Sequence, residues 1–274
     1  MFCMFFNEIE SIIENKLSPK IFRIDSEYYG LYYGQINRKK YIKKILFTVD
    51  LSLESIHYAV KNKINLIISL NNFNNNPITH FNQLLINKLN LLSRFPLLIF
   101  VLNSTFIAAE GGVSDTIMES LYLKLDQTLN VKNNRGDSIP IGRICVPNYY
   151  TENNKIMTLD NLLKRIKSNL EVEKVLFVGE LSSEVKKICI VGEDKLNINY
   201  IKKALKNKCD CYISGYFDHQ IARYAKESRL NLIGISLYNC NTIALKKLHN
   251  ILSLEFPHDD FYFFESRDPI NIFN

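Results

Sequence analysis

Hydrophobic residues in this chain gather into short, nearly unbroken runs, separated by amphipathic and polar stretches, and the alternation repeats along most of its length. Ile45–Val49, Leu66–Ser69 and Leu97–Leu102 are such runs. Their lack of polar alternation predicts strands covered on both faces, as in a parallel sheet. Candidate helices lie around them. Phe5–Lys16 places Phe5, Ile9, Ile12 and Ile13 at helical spacing. Leu53–Lys61 has Ser52 in position to cap it, and a further helix falls near His80–Leu91. Strand, helix, strand, helix, strand is the order of a doubly wound unit, whose ligands lie beyond the carboxyl ends of the strands. After the third run, Gly111-Gly112 open a helix through Ser114 to Leu123.

The polar stretch Asn130–Ser138 reads as a linker to a second lobe. There Thr158 caps a helix, Val175–Val178, Lys187–Val191, Cys211–Ser214 and Asn231–Ile235 read as strands, and helices cover Tyr200–Lys206 and Ala222–Ser228. The expected fold class is α/β, two lobes of mixed or parallel sheet flanked by helices. Residues 1–128 with 236–274 form the first lobe and residues 138–235 the second.

With 274 residues and 47% hydrophobic content, the chain buries a substantial core. No apolar run reaches the roughly 18 residues of a membrane helix. The opening Met1-Phe-Cys-Met-Phe-Phe shows neither a basic leader nor a small-residue cleavage site, so a cytoplasmic location without membrane association is expected. The net charge of +6 is spread over pairs such as Lys39-Lys40, Lys43-Lys44 and Lys202-Lys203, the pattern of a solvated surface and not of a nucleic-acid footprint. Cys3, Cys145, Cys189, Cys209, Cys211 and Cys240 include no Cys-x-x-Cys pair, and free buried thiols are expected in place of zinc or disulfides.

Several segments carry a family pattern in order. They are Glu27-Tyr-Tyr-Gly-Leu-Tyr-Tyr-Gly34, Ile45–Asp50, Leu66–Asn72, Asn103–Asp115, Pro140-Ile-Gly-Arg-Ile144, Asp210–Gly215, Leu230–Asn241 and Ser266-Arg-Asp-Pro-Ile270. Together they resemble the family named after NGG-one interacting factor three, also called GTP cyclohydrolase I type 2. The resemblance implies a two-lobed α/β protein that assembles through dimers into a ring-like homohexamer, with two divalent metal ions held in each chain. It also implies that the segment after Ser236 packs back on the first lobe. By the same resemblance the metal ligands fall on Leu70, Asn71, Ile107, Leu237 and Asn241, while Asn103 takes the place of a flanking His and Tyr216 that of an acid.

None of those five residues is anionic or carries an imidazole, whereas a two-metal centre needs bridging carboxylates and imidazole ligands. No cofactor is therefore expected, and the first reading is a catalytically degenerate member kept as an oligomeric binding or scaffold protein, its partner either itself or an unidentified protein. Asp50, Asn103, Glu110 and His219 remain as possible cleft residues. The alternative is a metal-dependent hydrolase of a nucleotide or other phosphorylated small molecule, with a relocated site drawn from Asp50, Glu110, Asp115 and His219. Each has an ordinary role as well: Asp50 in a turn, Glu110 solvated, His219 partly exposed. Arg143 reads as structural, and His57 and His80 lack metal-type spacing. Gly192-Glu193-Asp194, lacking a second Gly, is a poor anion cradle. Tyr28, Tyr29, Tyr32 and Tyr33 serve packing, a subunit contact or base stacking.

Overall fold

The computed structural model describes residues 5–24, 27–35, 41–73, 80–148, 156–193 and 196–270. Cys3, Lys39-Lys40 and Asp194 lie outside the described residues. In chain order the strands are β1 Gly30–Tyr33, β2 Lys44–Thr48, β3 Leu66–Ser69, β4 Leu98–Val101, β5 Leu123–Lys132, β6 Ser138–Pro147, β7 Val175–Val178, β8 Ile188–Val191, β9 Cys211–Ser214, β10 Asn231–Ile235 and β11 Asp260–Phe264. The helices are α1 Phe6–Ile12, α2 Leu53–Lys61, α3 Gln83–Leu92, α4 Ser104–Ala108, α5 Val113–Ser120, α6 Leu159–Asn169, α7 Ile198–Lys206, α8 His219–Glu227 and α9 Tyr238–Glu255. Two compact units result, Met1–Phe106 with Asn241–Arg267 and Ile107–Cys240 with Asp268–Asn274.

In the first unit the sheet order is β1-β4-β3-β2-β11, with β1 antiparallel to β4 and the other neighbours parallel. The register explains the apolar runs. Leu46, Ile67 and Ile99 line up across β2, β3 and β4 on one face, where they pack with Ile56 and Ala59 of α2 and Leu92 at the end of α3. Phe47, Ile68 and Phe100 line up on the other. There Phe6 of α1 meets Phe100, and His249 of α9 meets Phe47 and Phe261 edge-on. Sealing off each such side chain stabilises the fold by about 1.5–3 kcal/mol. Ser52 caps α2 by accepting from the Ser55 N–H.

The second unit carries a six-stranded sheet of order β5-β6-β8-β9-β10-β7, in which β8, β9 and β10 are parallel and the rest antiparallel. Here the linker expected at Asn130–Ser138 is corrected: β5 and β6 pair along their length, and that stretch is the end of β5, the hairpin turn 133–137 and the start of β6. Asn133 Oδ1 accepts from the N–H groups of Arg135 and Asp137, and Gly136 takes φ +87°. The polarity that suggests a linker belongs to an edge strand, whose outer positions face water. The division accordingly falls after Phe106 and not near residue 128, and the tail is shared, Asn241–Arg267 going to the first unit and the residues from Asp268 to the second. The helix expected through Leu123 ends at Ser120, because Leu123 already pairs with Pro147.

Gly142 is required by close approach: a Cβ there would lie 2.6 Å from the Ile190 carbonyl oxygen of β8. Among the described residues five helices are followed by a non-glycine residue with positive φ, at Lys63, Tyr122, Glu171, Lys208 and Arg229.

Candidate functional site

Three parallel strands of the first unit, β2, β3 and β4, end side by side, and Asp50, Leu70, Asn71 and Asn103 follow their carboxyl ends. The Asp50 carboxylate accepts a 2.8 Å hydrogen bond from Asn71 Nδ2, and the Asn71 N–H is tied to the Val49 carbonyl. Asn103 follows β4 in the left-handed region at φ 45°, which Asn tolerates better than most side chains. Its N–H reaches the Leu70 carbonyl and its Nδ2 the Tyr28 carbonyl. Next to it the Ser104 N–H donates to Glu27 Oε2 at 3.0 Å.

Leu70 is only 2% exposed. Phe73, Tyr32 and Tyr28 form an edge-to-face chain, while Tyr29 stands edge-on to Phe100 and Tyr33 packs against the core, so the tyrosines around Gly30 serve packing. Lys88 lies over the Phe73 ring at 5.2 Å, and removal from water lowers its ammonium pKa from the ordinary lysine range. Asn241 lies in the first turn of α9. Asn241 is 5% exposed, and among the described residues neither its Oδ1 nor the buried Asn72 Oδ1 has a hydrogen-bond partner.

The second unit places the remaining positions. Ile107 is half-buried in α4, Glu110 is exposed, and Leu237, just ahead of α9, is 2% exposed. His219 opens α8 behind the Asp218 cap, whose carboxylate accepts from the Ile221 N–H. Tyr216 is half-buried, and burial raises its phenol pKa. Gly192 packs against Val113 and its N–H is taken by Ser114 Oγ at 3.1 Å, which closes that turn to an anion.

Asp115 corrects the relocated-site expectation. Its carboxylate is buried and held by the Arg143 side chain, through Nε to Oδ1 and through an Nη2 contact of 3.0 Å to Oδ2. Oδ2 also accepts from the Gly111 N–H. Arg143 donates further to the carbonyls of Pro140, Ala108 and Ala109. A carboxylate so enclosed is a structural anchor and not a base open to substrate. Nothing in the sequence pairs residues 28 positions apart; only the β5–β6 register brings Arg143 to α5.

Chemically, the five resemblance-derived positions supply three aliphatic side chains and two amides. Amide oxygens suit a hard cation only as part of a larger oxygen shell, and they do not offset charge as carboxylates do. Those five side chains by themselves therefore do not supply the donor set of a pair of divalent ions. Among the described residues no group of three or more His, Cys, Asp or Glu side chains converges to hold a metal. No described helix is long and apolar enough to cross a membrane.

A strand-edge site on a mixed α/β unit, joined to a second unit built on a long hairpin, defines a class of protein that known sequences and structures identify more closely. The sequence profile of Duf34/NIF3 (NGG1p interacting factor 3) matches residues 4–269, and the chain belongs to that family. It is similar to a GTP cyclohydrolase 1 type 2 homolog of Clostridium perfringens, 27% identical over 247 residues that cover 88% of each chain. A Staphylococcus aureus protein of the same description matches more locally, at 35% identity over 83 residues, 30% of this chain and 22% of that one. Among solved structures, a Bacillus cereus protein related to NIF3 superposes with a TM-score of 0.82 at 16% identity, covering all of both chains. Reduced HcgD from Methanocaldococcus jannaschii gives a TM-score of 0.78 at 23% identity, covering 97% of this chain and 100% of its own. At these identities the structural likeness speaks for the fold.

Proposed function

We propose that this chain is a family member without a di-metal centre, acting as an oligomeric binding or scaffold protein and not as a hydrolase. The observation that carries the reading is the donor chemistry. Leu70 and Leu237 are buried aliphatic side chains at positions where the resemblance calls for imidazole, and an ion set against them loses hydration without gaining a ligand. Asn71 is engaged with Asp50, which leaves that carboxylate in a local hydrogen bond. Asp115, the best-buried carboxylate of the relocated alternative, is consumed by Arg143. The homohexamer belongs to the same proposal, carried by family membership.

Elemental analysis of purified, untagged protein after dialysis, together with its mass in solution, tests both parts. The expected result is far less than one divalent ion per chain in a particle of six chains. Two tightly held ions per chain would overturn the metal-free reading, and a monomer at micromolar concentration would overturn the scaffold.

A further inference from the structure

In the first unit α2 and α3 each cover the same face of the sheet, and as returns between parallel strands they run side by side in one direction. The groove between them has a volume of about 680 Å³, within the several-hundred Å³ range of small-molecule sites. Leu53 and Tyr58 of α2, Leu91 of α3 and Phe264 of β11 form an apolar floor. All four are half-buried, and Tyr58 and Phe264 pack ring to ring at 5.4 Å.

The two ends of the groove differ in charge. Lys61 in the last turn of α2 and Arg94 just past the end of α3 stand at one end, and neither side chain has a hydrogen-bond or carboxylate partner among the described residues. Glu54 stands in the first turn of α2, seven residues earlier, or roughly 10 Å along the helix. Cations at helix C-termini interact well with the helix dipoles, which accounts for their positions. It does not account for an aromatic and aliphatic floor left open between them.

We propose that this groove binds a small amphiphilic monocarboxylate, its apolar body along Leu53, Tyr58, Leu91 and Phe264 and its carboxylate between Lys61 and Arg94. Two cations at one end, against a Glu54 carboxylate only partly offset by Lys88 at the other, set the direction, because a reversed ligand brings two carboxylates together. The same repulsion disfavours a dicarboxylate of equal length. This site is independent of the metal question.

Titration of the full-length protein with octanoate, followed by calorimetry and by NMR, tests the assignment. Octan-1-ol and octanedioate are the matched probes, and Lys61→Gln with Arg94→Gln is the variant, both positions being exposed so that the fold is kept. Octanoate is expected to bind saturably, about tenfold tighter than either probe, to shift the signals of Tyr58, Leu91 and Phe264, and to lose about tenfold in the double variant while octan-1-ol is unaffected. Absence of saturable binding, equal affinity for the alcohol, equal affinity for the diacid, an unchanged double variant, or shifts confined to other residues each overturn it.

Discussion

Replacing Arg143 with Met removes the cation that holds α5 to the hairpin and leaves a side chain of similar length. Asp115 keeps only the Gly111 N–H, and the carbonyls of Pro140, Ala108 and Ala109 lose their shared donor. Arg143 is 4% exposed, so water does not replace it without opening the unit. Breaking a buried ion pair from one side costs about 3–5 kcal/mol, and each carbonyl left unmatched adds on the order of 1 kcal/mol, with strong overlap between these figures. The sum lies near 4 kcal/mol, a large share of a typical stability of about 5–15 kcal/mol. Urea denaturation is the assay, supported by a melting temperature expected to fall on the order of 10 °C. The second arm adds Asp115→Leu. Because the penalty in the single variant is mostly the stranded carboxylate, Arg143→Met with Asp115→Leu should be more stable than Arg143→Met alone. A loss below about 1 kcal/mol in the single variant, or a further loss in the double, refutes the reasoning.

Further outcomes follow from single contacts. Gly142→Ala pushes a methyl against the Ile190 carbonyl and should destabilise by about 1–3 kcal/mol in denaturant titration, whereas an unstrained backbone would show no change. Lys208→Gly and Arg229→Gly relieve left-handed backbone at exposed helix ends, and each is expected to stabilise by about 1 kcal/mol, so a loss in both would contradict the assigned φ values. Asp210 is held above the ordinary 3.8 by burial, against the lowering hydrogen bonds from the Lys186 and Lys187 N–H groups. The folded state thus keeps its proton where the unfolded state has lost it, and this group's contribution is present below the unfolded pKa and is lost as pH rises through the folded pKa. A carboxyl NMR titration of Asp210 with a midpoint at or below 3.8 would remove the basis for that slope.

The strands of the first unit were legible because burial on both faces writes a continuous apolar run, and Ile45–Val49 and Leu66–Ser69 return as β2 and β3. Caps were legible because they act within three residues, as Ser52 and Thr158 do. The β5–β6 hairpin was not. Its outer strand exposes Lys124 through Gln127 to solvent, and its turn has the same Asn, Gly and Asp residues that a linker has. The candidate site divides along the same line. Strand-end positions such as Asn71 and Asn103 are fixed by local periodicity, while the engagement of Asp115 by Arg143 depends on a register that no short segment encodes. The half-buried Lys88 over Phe73 gave no signal either, since the two are 15 positions apart in polar surroundings.

The Arg143 guanidinium grips the Ala108 and Ala109 carbonyls directly. The side chains of Arg143 and Asp115, acting on main-chain atoms of Ala108, Ala109 and Gly111, therefore hold the loop that follows Ile107. The identity of residue 107 is consequently uncoupled from the path of the chain around it. A substitution at residue 107 therefore changes what that turn presents without removing either of the two carbonyl anchors beside it.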